Sequence, residues 1–186
     1  MFEEFITGVG DAFLRLVAAT LMGAAVGLNR ELRGKPAGMR THALVSLGAA
    51  LVTLSSIALA THGGTVDANA VTRAVQGIIA GVGFLGGGVI LKTSEGRAGV
   101  RNLTTAASVW VVACLGIVCG AGQWSIAAAG LALTLLVLVT GGPIEDAVRR
   151  LAMRWVRPND ARALERLRSD RRRTGEHRSI MPDEES

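Results

Sequence analysis

Long apolar runs separated by short polar segments dominate this chain. Five runs are long enough to cross a bilayer as helices, at about residues 11–28, 43–60, 74–91, 104–120 and 124–140. A helix of about 20 apolar residues matches the roughly 30 Å hydrocarbon thickness of a membrane. The runs are apolar on every side, whereas a surface helix of a soluble domain is apolar along one stripe. The pattern predicts an all-α integral membrane protein with five transmembrane helices.

The third run, Ala74–Leu91, is rich in glycine and carries no charge. Its glycines are Gly77, Gly81, Gly83, Gly86, Gly87 and Gly88. Glycine weakens a helix in water by about 1 kcal/mol relative to alanine, but in lipid small residues let helix backbones approach closely. The GxGxxG spacing here lacks the preceding strand of a dinucleotide-binding loop. We expect these glycines to form helix-packing faces, as does the GxxxG pair Gly23 and Gly27 in the first run.

The basic residues of the polar segments predict the orientation. The segments after the first and third runs carry Arg30, Arg33, Lys35 and Arg40, and Lys92, Arg97 and Arg101. The segments after the second and fourth runs carry none, and lysine and arginine concentrate in cytoplasmic loops. The N-terminus is expected outside and the C-terminus in the cytoplasm.

The C-terminal part differs in composition from the rest. We divide the chain into a transmembrane domain, residues 1–142, and a basic cytoplasmic tail, residues 143–186. Gly141, Gly142 and Pro143 are expected to end the fifth helix. Residues 148–156 alternate apolar side chains with arginines at helical spacing, which predicts a helix lying on the inner leaflet. The remainder is highly charged, which predicts disorder.

Charges near the apolar runs are few. Asp11 and Arg15 are four residues apart and share a helix face, and Arg73 opens the third run. Because a charge at the bilayer centre costs about 3 kcal/mol, such residues usually pair or face the protein interior. A structural pair at the membrane edge and a functional polar site are both open interpretations.

Composition excludes several kinds of site. The mean hydropathy is +0.39 and the net charge is +5, but arginines 171–173 stand beside acids without interleaved aromatics, so no nucleic-acid partner is expected. Cys114 and Cys119 would point about 140° apart on a helix and cannot pair with each other. The histidines are scattered, and no metal-ligand spacing, paired carboxylates or nucleophile–base pair appears. No enzyme, metal or cofactor is expected.

Three blocks resemble the signatures of the MgtC/SapB family of membrane proteins. They are GAAVGLNRELRGKPAGMRTHALVSLGAAL, GVGFLGGGVIL and VRNLTTAASVWVVACLGIVCGAG, in the family's order. Arg73 also stands where the family places an arginine. The chain departs at Asn29, where the family usually has glutamate, and at Asn102, where it usually has glycine. The tail is shorter than the folded cytoplasmic domain of members tied to virulence, so the functions of that domain are not expected here.

The resemblance implies a multi-pass protein of the bacterial inner membrane. It implies a regulator of adaptation to low magnesium and of survival inside host cells, which binds a membrane partner such as the proton-translocating ATP synthase. Lipid contact and self-association are further expectations. The alternative is a small ion transporter or channel, whose polar path would use Asp11, Arg15, Arg73 and the hydroxyl groups of the second run.

The first and third polar segments supply the candidate functional patch. We expect them to meet at the cytoplasmic face, and the patch residues are Arg30, Glu31, Arg40, Thr41, Arg101, Asn102, Thr104 and Thr105. Thr104 or Thr105 is also expected to cap the fourth helix through its hydroxyl group. A purely structural role, in which these residues cap helices and fix topology, is the open alternative.

Overall fold

A computed structural model describes residues 2–62, 64–91 and 102–155. The helices are α1 (Phe2–Leu32), α2 (Met39–Ala60), α3 (Ala68–Leu91), α4 (Leu103–Gly120) and α5 (Trp124–Trp155), and the strands are β1 (Thr61–His62) and β2 (Thr65–Val66). All five helices are long and apolar enough to cross a membrane. The predicted five-helix membrane fold is confirmed. The orientation of its termini stays a prediction.

A short hairpin joins α2 to α3, where the sequence indicated only a loop. β1 and β2 pair antiparallel, with Thr61 opposite Val66. The Asp67 carboxylate then accepts the Asn69 N–H at 2.9 Å, as N-cap side chains do. Helix α3 therefore begins at Ala68, about two turns before the apolar run itself.

The expectation that Gly141, Gly142 and Pro143 end the fifth helix is wrong. Helix α5 continues through Pro143 to Trp155, so the described part of residues 148–156 belongs to it. Proline has no N–H and releases the carbonyl four residues earlier, here that of Val139. Arg33 Nη2 donates to this Val139 oxygen at 3.3 Å. Membrane helices tolerate proline where another group satisfies the released carbonyl.

The chain forms two compact units, Met1–Val139 and Thr140–Ser186. Residues 140–155 of the second unit are described, and they form the last part of α5. The domain boundary at residue 142 and the nature of the tail stay predictions, and residues 156–186 lie outside the described ranges.

The core of the first unit lies where α1, α2 and α4 meet. Small side chains fill it, among them the buried Ala19, Ala49, Ala50, Ala113 and Cys119. Larger side chains enter from α5, where Leu131, Leu135 and Leu138 pack against Val26, Val112 and Leu115. The small core residues allow α1 and α4 to approach α2 at backbone distance.

Candidate functional site

The backbones of α1 and α4 approach that of α2 closely around the candidate site. A Cβ added to Gly23 would lie 2.5 Å from the His42 carbonyl oxygen, and one added to Gly27 would lie 2.6 Å from Met39 Cα. A Cβ on Gly116 of α4 would overlap the Ser46 carbonyl oxygen of α2. Helices α1 and α4 thus both contact the N-terminal turns of α2, and polar side chains between them have little room.

A chain of hydrogen bonds crosses this junction; we call it the Arg30–His42 network. Arg30 is only 5% exposed, and its Nη2 donates to Thr105 Oγ1 at 2.7 Å. Ser108 Oγ donates to the Thr105 carbonyl oxygen at 2.8 Å and lies 3.0 Å from His42 Nε2. His42 Nδ1 lies 2.9 Å from the Gly38 carbonyl oxygen. The network therefore joins α1 to α4 and α4 to α2.

Three buried polar atoms near this end of the helices have no hydrogen-bond partner in the described parts of the chain. They are Arg30 Nε, Asn29 Oδ1 and Ser46 Oγ. Leaving such an atom unpaired costs about 1–3 kcal/mol, and unpaired polar atoms in native proteins are uncommon. The junction therefore contains buried polar atoms that the described hydrogen bonds do not satisfy.

Glu31 anchors the start of α2. Its Oε2 accepts the Met39 N–H at 3.0 Å, and the carboxylate lies at the N-terminal end of the helix, where negative charge is favourable. Arg40 and Thr41 are exposed, and with Glu31, Lys35, Gly38 and Met39 they line an open polar concavity. The concavity lies beside the Gly38 carbonyl of the network.

At α4 the predicted cap is wrong. Asn102 is the N-cap residue and makes no side-chain cap bond, so Thr104 and Thr105 lie inside the first turn. The Thr105 hydroxyl accepts from Arg30 instead. Thr104 is exposed beside a mainly apolar cavity that α4 shares with Leu133 and Val137. Asn102 has φ of 67°, a left-handed conformation that glycine and asparagine adopt most readily, so asparagine can replace the family's usual glycine here.

The structure thus brings only part of the predicted patch together. Arg30 and Thr105 bond directly, whereas no hydrogen bond joins Arg40 to Thr104 in the described chain. Arg101 lies outside the described residues. The patch as one functional unit stays a prediction.

Two polar residues in the N-terminal half of α1 make a separate set of contacts. Arg15 Nη2 pairs with Asp11 Oδ2 at 2.6 Å, and Arg15 Nη1 donates to the Gly120 carbonyl oxygen at 3.0 Å. Gly122, with φ of 72°, leaves room for the guanidinium, since a Cβ there would lie 2.9 Å from Arg15 Cζ. Arg73 is exposed, and no hydrogen bond or ion pair links it to a described residue.

The α3 glycines have different surroundings from those of α1. A Cβ on Gly86 would lie 3.7 Å from Ala106 Cβ, an ordinary contact with α4. Among described atoms, none lies within 4 Å of a Cβ added at Gly77, Gly81, Gly83, Gly87 or Gly88. Phe84, between them in sequence, is 84% exposed. Gly77 and Gly81 line an open groove between α3 and α2, and these five glycines are not packed against any described residue.

Sequence reasoning missed His42 and Ser108, and it considered Ser46 only as one of the hydroxyl groups of the second run. All three are almost fully buried. A polar residue at the edge of an apolar run, or inside one, was the available signal. Thr105 and Ser108, three residues apart on α4, share a face, and His42 stands in the first turn of α2. No spacing between them in sequence showed that the two helices would meet there.

Comparison with known proteins agrees with a multi-pass α-helical membrane protein. The chain belongs to the MgtC family, whose model matches residues 16–147. SrpB of Synechococcus elongatus is 46% identical over 129 residues, which are 67% of this chain and 71% of SrpB. MgtC of Salmonella typhimurium is 41% identical over 138 residues, 74% of this chain and 54% of that protein. YhiD of Escherichia coli, named as a candidate magnesium transporter, is 38% identical over 134 residues, 69% of this chain and 59% of YhiD.

No solved structure matches the chain. The matched region spans little more than half of MgtC and of YhiD. For this chain, the activities of those whole proteins are therefore only proposals.

Proposed function

We propose that this protein is a non-enzymatic regulator of the bacterial inner membrane that supports growth in low magnesium. It acts by binding a membrane partner, and the proton-translocating ATP synthase is the first partner to test. Its N-terminus lies outside and its C-terminus in the cytoplasm. In an intracellular bacterium the same activity would support survival inside host cells.

The uncovered glycines of α3 carry this proposal. A Cβ added at Gly77, Gly81 or Gly83 would have no described atom within 4 Å, yet α3 is apolar and uncharged over this stretch. In lipid, glycine contributes most to helix association where another helix packs against it. A partner helix, or a second copy of this chain, would find the backbone of α3 open to close contact.

The apolar interior favours a regulator over a channel formed by one chain. Arg15 and Arg30 are the two arginines of α1, about 22 Å apart at 1.5 Å per residue. The cluster of buried residues Ala19, Ala50, Cys119 and Ala127 lies along this stretch. An ion crossing the first unit would meet apolar side chains over most of that distance.

Ion transport is the second candidate function, and the name of YhiD favours it. A transport path would then require an assembly of several copies. Purified protein reconstituted in liposomes tests this directly. Magnesium or proton flux above that of empty liposomes would support transport and contradict the purely regulatory proposal.

Growth of a deletion strain in low magnesium tests the regulatory role. We expect slower growth, with rescue by the wild type. Gly83→Leu should fold but fail to rescue, because it fills the uncovered α3 face without meeting a described neighbour. Ala132→Leu, at an exposed position of α5, is the matched control and should rescue fully.

Two outcomes would contradict the proposal. Normal growth of the deletion strain in low magnesium removes the magnesium role. Full rescue by Gly83→Leu removes α3 as the binding face. The choice of partner is tested separately by crosslinking in membranes and purification, where ATP synthase subunits should be recovered with the wild type and depleted with Gly83→Leu.

A further inference from the structure

The three polar contacts around His42 and Ser108 can all be hydrogen bonds at once only when the ring carries two hydrogens. The Gly38 carbonyl can only accept, so His42 Nδ1 carries a hydrogen. When the Ser108 hydroxyl donates to the Thr105 carbonyl oxygen, 2.8 Å away, the remaining contact, His42 Nε2 to Ser108 Oγ at 3.0 Å, needs a hydrogen on Nε2. A doubly protonated ring satisfies all three contacts at once.

The neutral ring fits the same heavy-atom positions. If Nε2 is unprotonated, the Ser108 hydroxyl can rotate to donate to it. The Thr105 carbonyl then keeps its helical N–H bond and loses only its second donor. One rotation of one hydroxyl group therefore accommodates either state of the ring, without movement of α2 or α4.

We infer that His42 is a reversible proton-binding site, with the Ser108 hydroxyl as the group that rotates between the two states. The proton binds at Nε2 of a ring that is fully buried. This inference is independent of the magnesium role and of any partner.

Charged groups on neighbouring elements both oppose and favour a positive charge on the His42 ring. On α1, Arg30 opposes a second positive charge, while the Glu31 carboxylate favours it. Glu31 Oε2 would lie 2.7 Å from a Cβ on Gly38, the residue whose carbonyl contacts the ring. On α2 itself Arg40 is exposed, as is Lys35 in the preceding loop. Helix α4 carries no Asp, Glu, Lys, Arg or His and contributes Thr105 and Ser108 here.

Nitrogen-15 NMR of the histidine rings tests the site in the full chain, held in lipid nanodiscs. The chain has three histidines, so the double variant His62→Gln/His177→Gln leaves His42 as the sole probe. Between about pH 8 and pH 5, the range in which histidines commonly change charge, we expect Nε2 to gain a proton. Nδ1 should stay protonated throughout. A ring that stays singly protonated over this range, or a neutral form protonated at Nε2, overturns the inference.

The part played by Ser108 is tested in the same background. Ser108→Ala removes the rotating hydroxyl, which contacts Nε2 in both states of the ring, and should move the titration midpoint by at least about half a pH unit. Ser56→Ala is the matched control, because Ser56 Oγ bonds the Thr53 carbonyl at 2.8 Å, with the same spacing of three residues. An unchanged midpoint in folded Ser108→Ala overturns the role of the hydroxyl. If Ser108→Ala does not fold, the single-histidine titration alone decides for or against the proton site.

Discussion

Two glycine-rich regions of this protein share a composition and differ in what surrounds them. At the junction of α1, α2 and α4, a Cβ on Gly23 or Gly120 would lie within 3 Å of α2 atoms. On α3, a Cβ on Gly77 or Gly81 would meet no described atom within 4 Å. The first set is required by the fold of the chain, whereas the second set leaves a helix surface open. Glycine spacing indicates where backbones can approach, but it does not indicate which backbone does so.

Gly116→Val tests the packed region most severely. The new side chain would overlap the Ser46 carbonyl oxygen, which is a backbone atom held within α2. Overpacking in a well-packed core costs about 1–3 kcal/mol and occasionally more, and here neither helix can retreat without breaking the junction. We expect little folded protein in the membrane, measured by fluorescence-detected size-exclusion chromatography in detergent. A normal, monodisperse peak would show that the junction tolerates a wider helix separation.

Arg30→Met comes next in expected effect. The variant keeps the apolar stem but loses the donor to Thr105. Hydrogen bonds to charged groups contribute about 1.5–3 kcal/mol, so we expect a loss of about 2 kcal/mol in denaturant unfolding in mixed micelles. Arg40→Met is the control: Arg40 is exposed, and the change should stay within about 0.5 kcal/mol. Equal losses in the free energy of unfolding for the two variants would show that the Arg30–His42 network does not stabilise the fold.

Arg15→Met tests the polar contacts that Arg15 makes with Asp11 and Gly120. Arg15 pairs with Asp11 and donates to Gly120, but the side chains of the pair are 23% and 47% exposed. Solvent screens such pairs, so we expect a loss of about 0.5–1 kcal/mol in the same unfolding assay. Arg73→Met, at an exposed site, should change the free energy of unfolding less than this. The reverse order would mean that Arg73 has a stabilising contact beyond the described residues.

Gly81→Ala on α3 should have the smallest effect on the isolated chain. The added methyl group meets no described atom within 4 Å, and alanine is the better helix former by up to about 1 kcal/mol. Thermal unfolding in detergent should therefore be unchanged or slightly raised. A clear loss of stability in the purified protein would place a second copy of the chain against α3 in solution.

The sequence predicted the helices well because their signal is local. Each run is apolar on all sides and matches the bilayer thickness, so neither tertiary contacts nor partners are needed to recognise it. Helix ends were harder to predict. Gly141, Gly142 and Pro143 are strong stop signals in water, but Arg33 supplies a donor to the carbonyl that the proline releases. That donor comes from a distant loop, and no local pattern reveals it.

The candidate site was predicted only in part, for the same reason. Arg30 and Thr105 were both included in the patch, because polar residues at helix ends are conspicuous. His42, which joins the network through Ser108, was treated as one of three scattered histidines. Its ring contacts Ser108, which is 66 positions away in the sequence. Helices α2 and α4 meet at Gly116. The distance between them depends on backbone contacts that hydropathy does not encode.

The position of Arg30 also constrains how the protein is made. Its partner Thr105 is 75 residues further along the chain, so at about 5–20 residues per second the guanidinium waits roughly 4–15 s for it during synthesis. Helix α1 has by then left the ribosome with Arg30 at its expected cytoplasmic end, where water and lipid headgroups can satisfy a guanidinium. The Arg30–Thr105 bond can form only after α4 has been made. Closure of the junction of α1, α2 and α4 is therefore expected to be a late step in the folding of this protein.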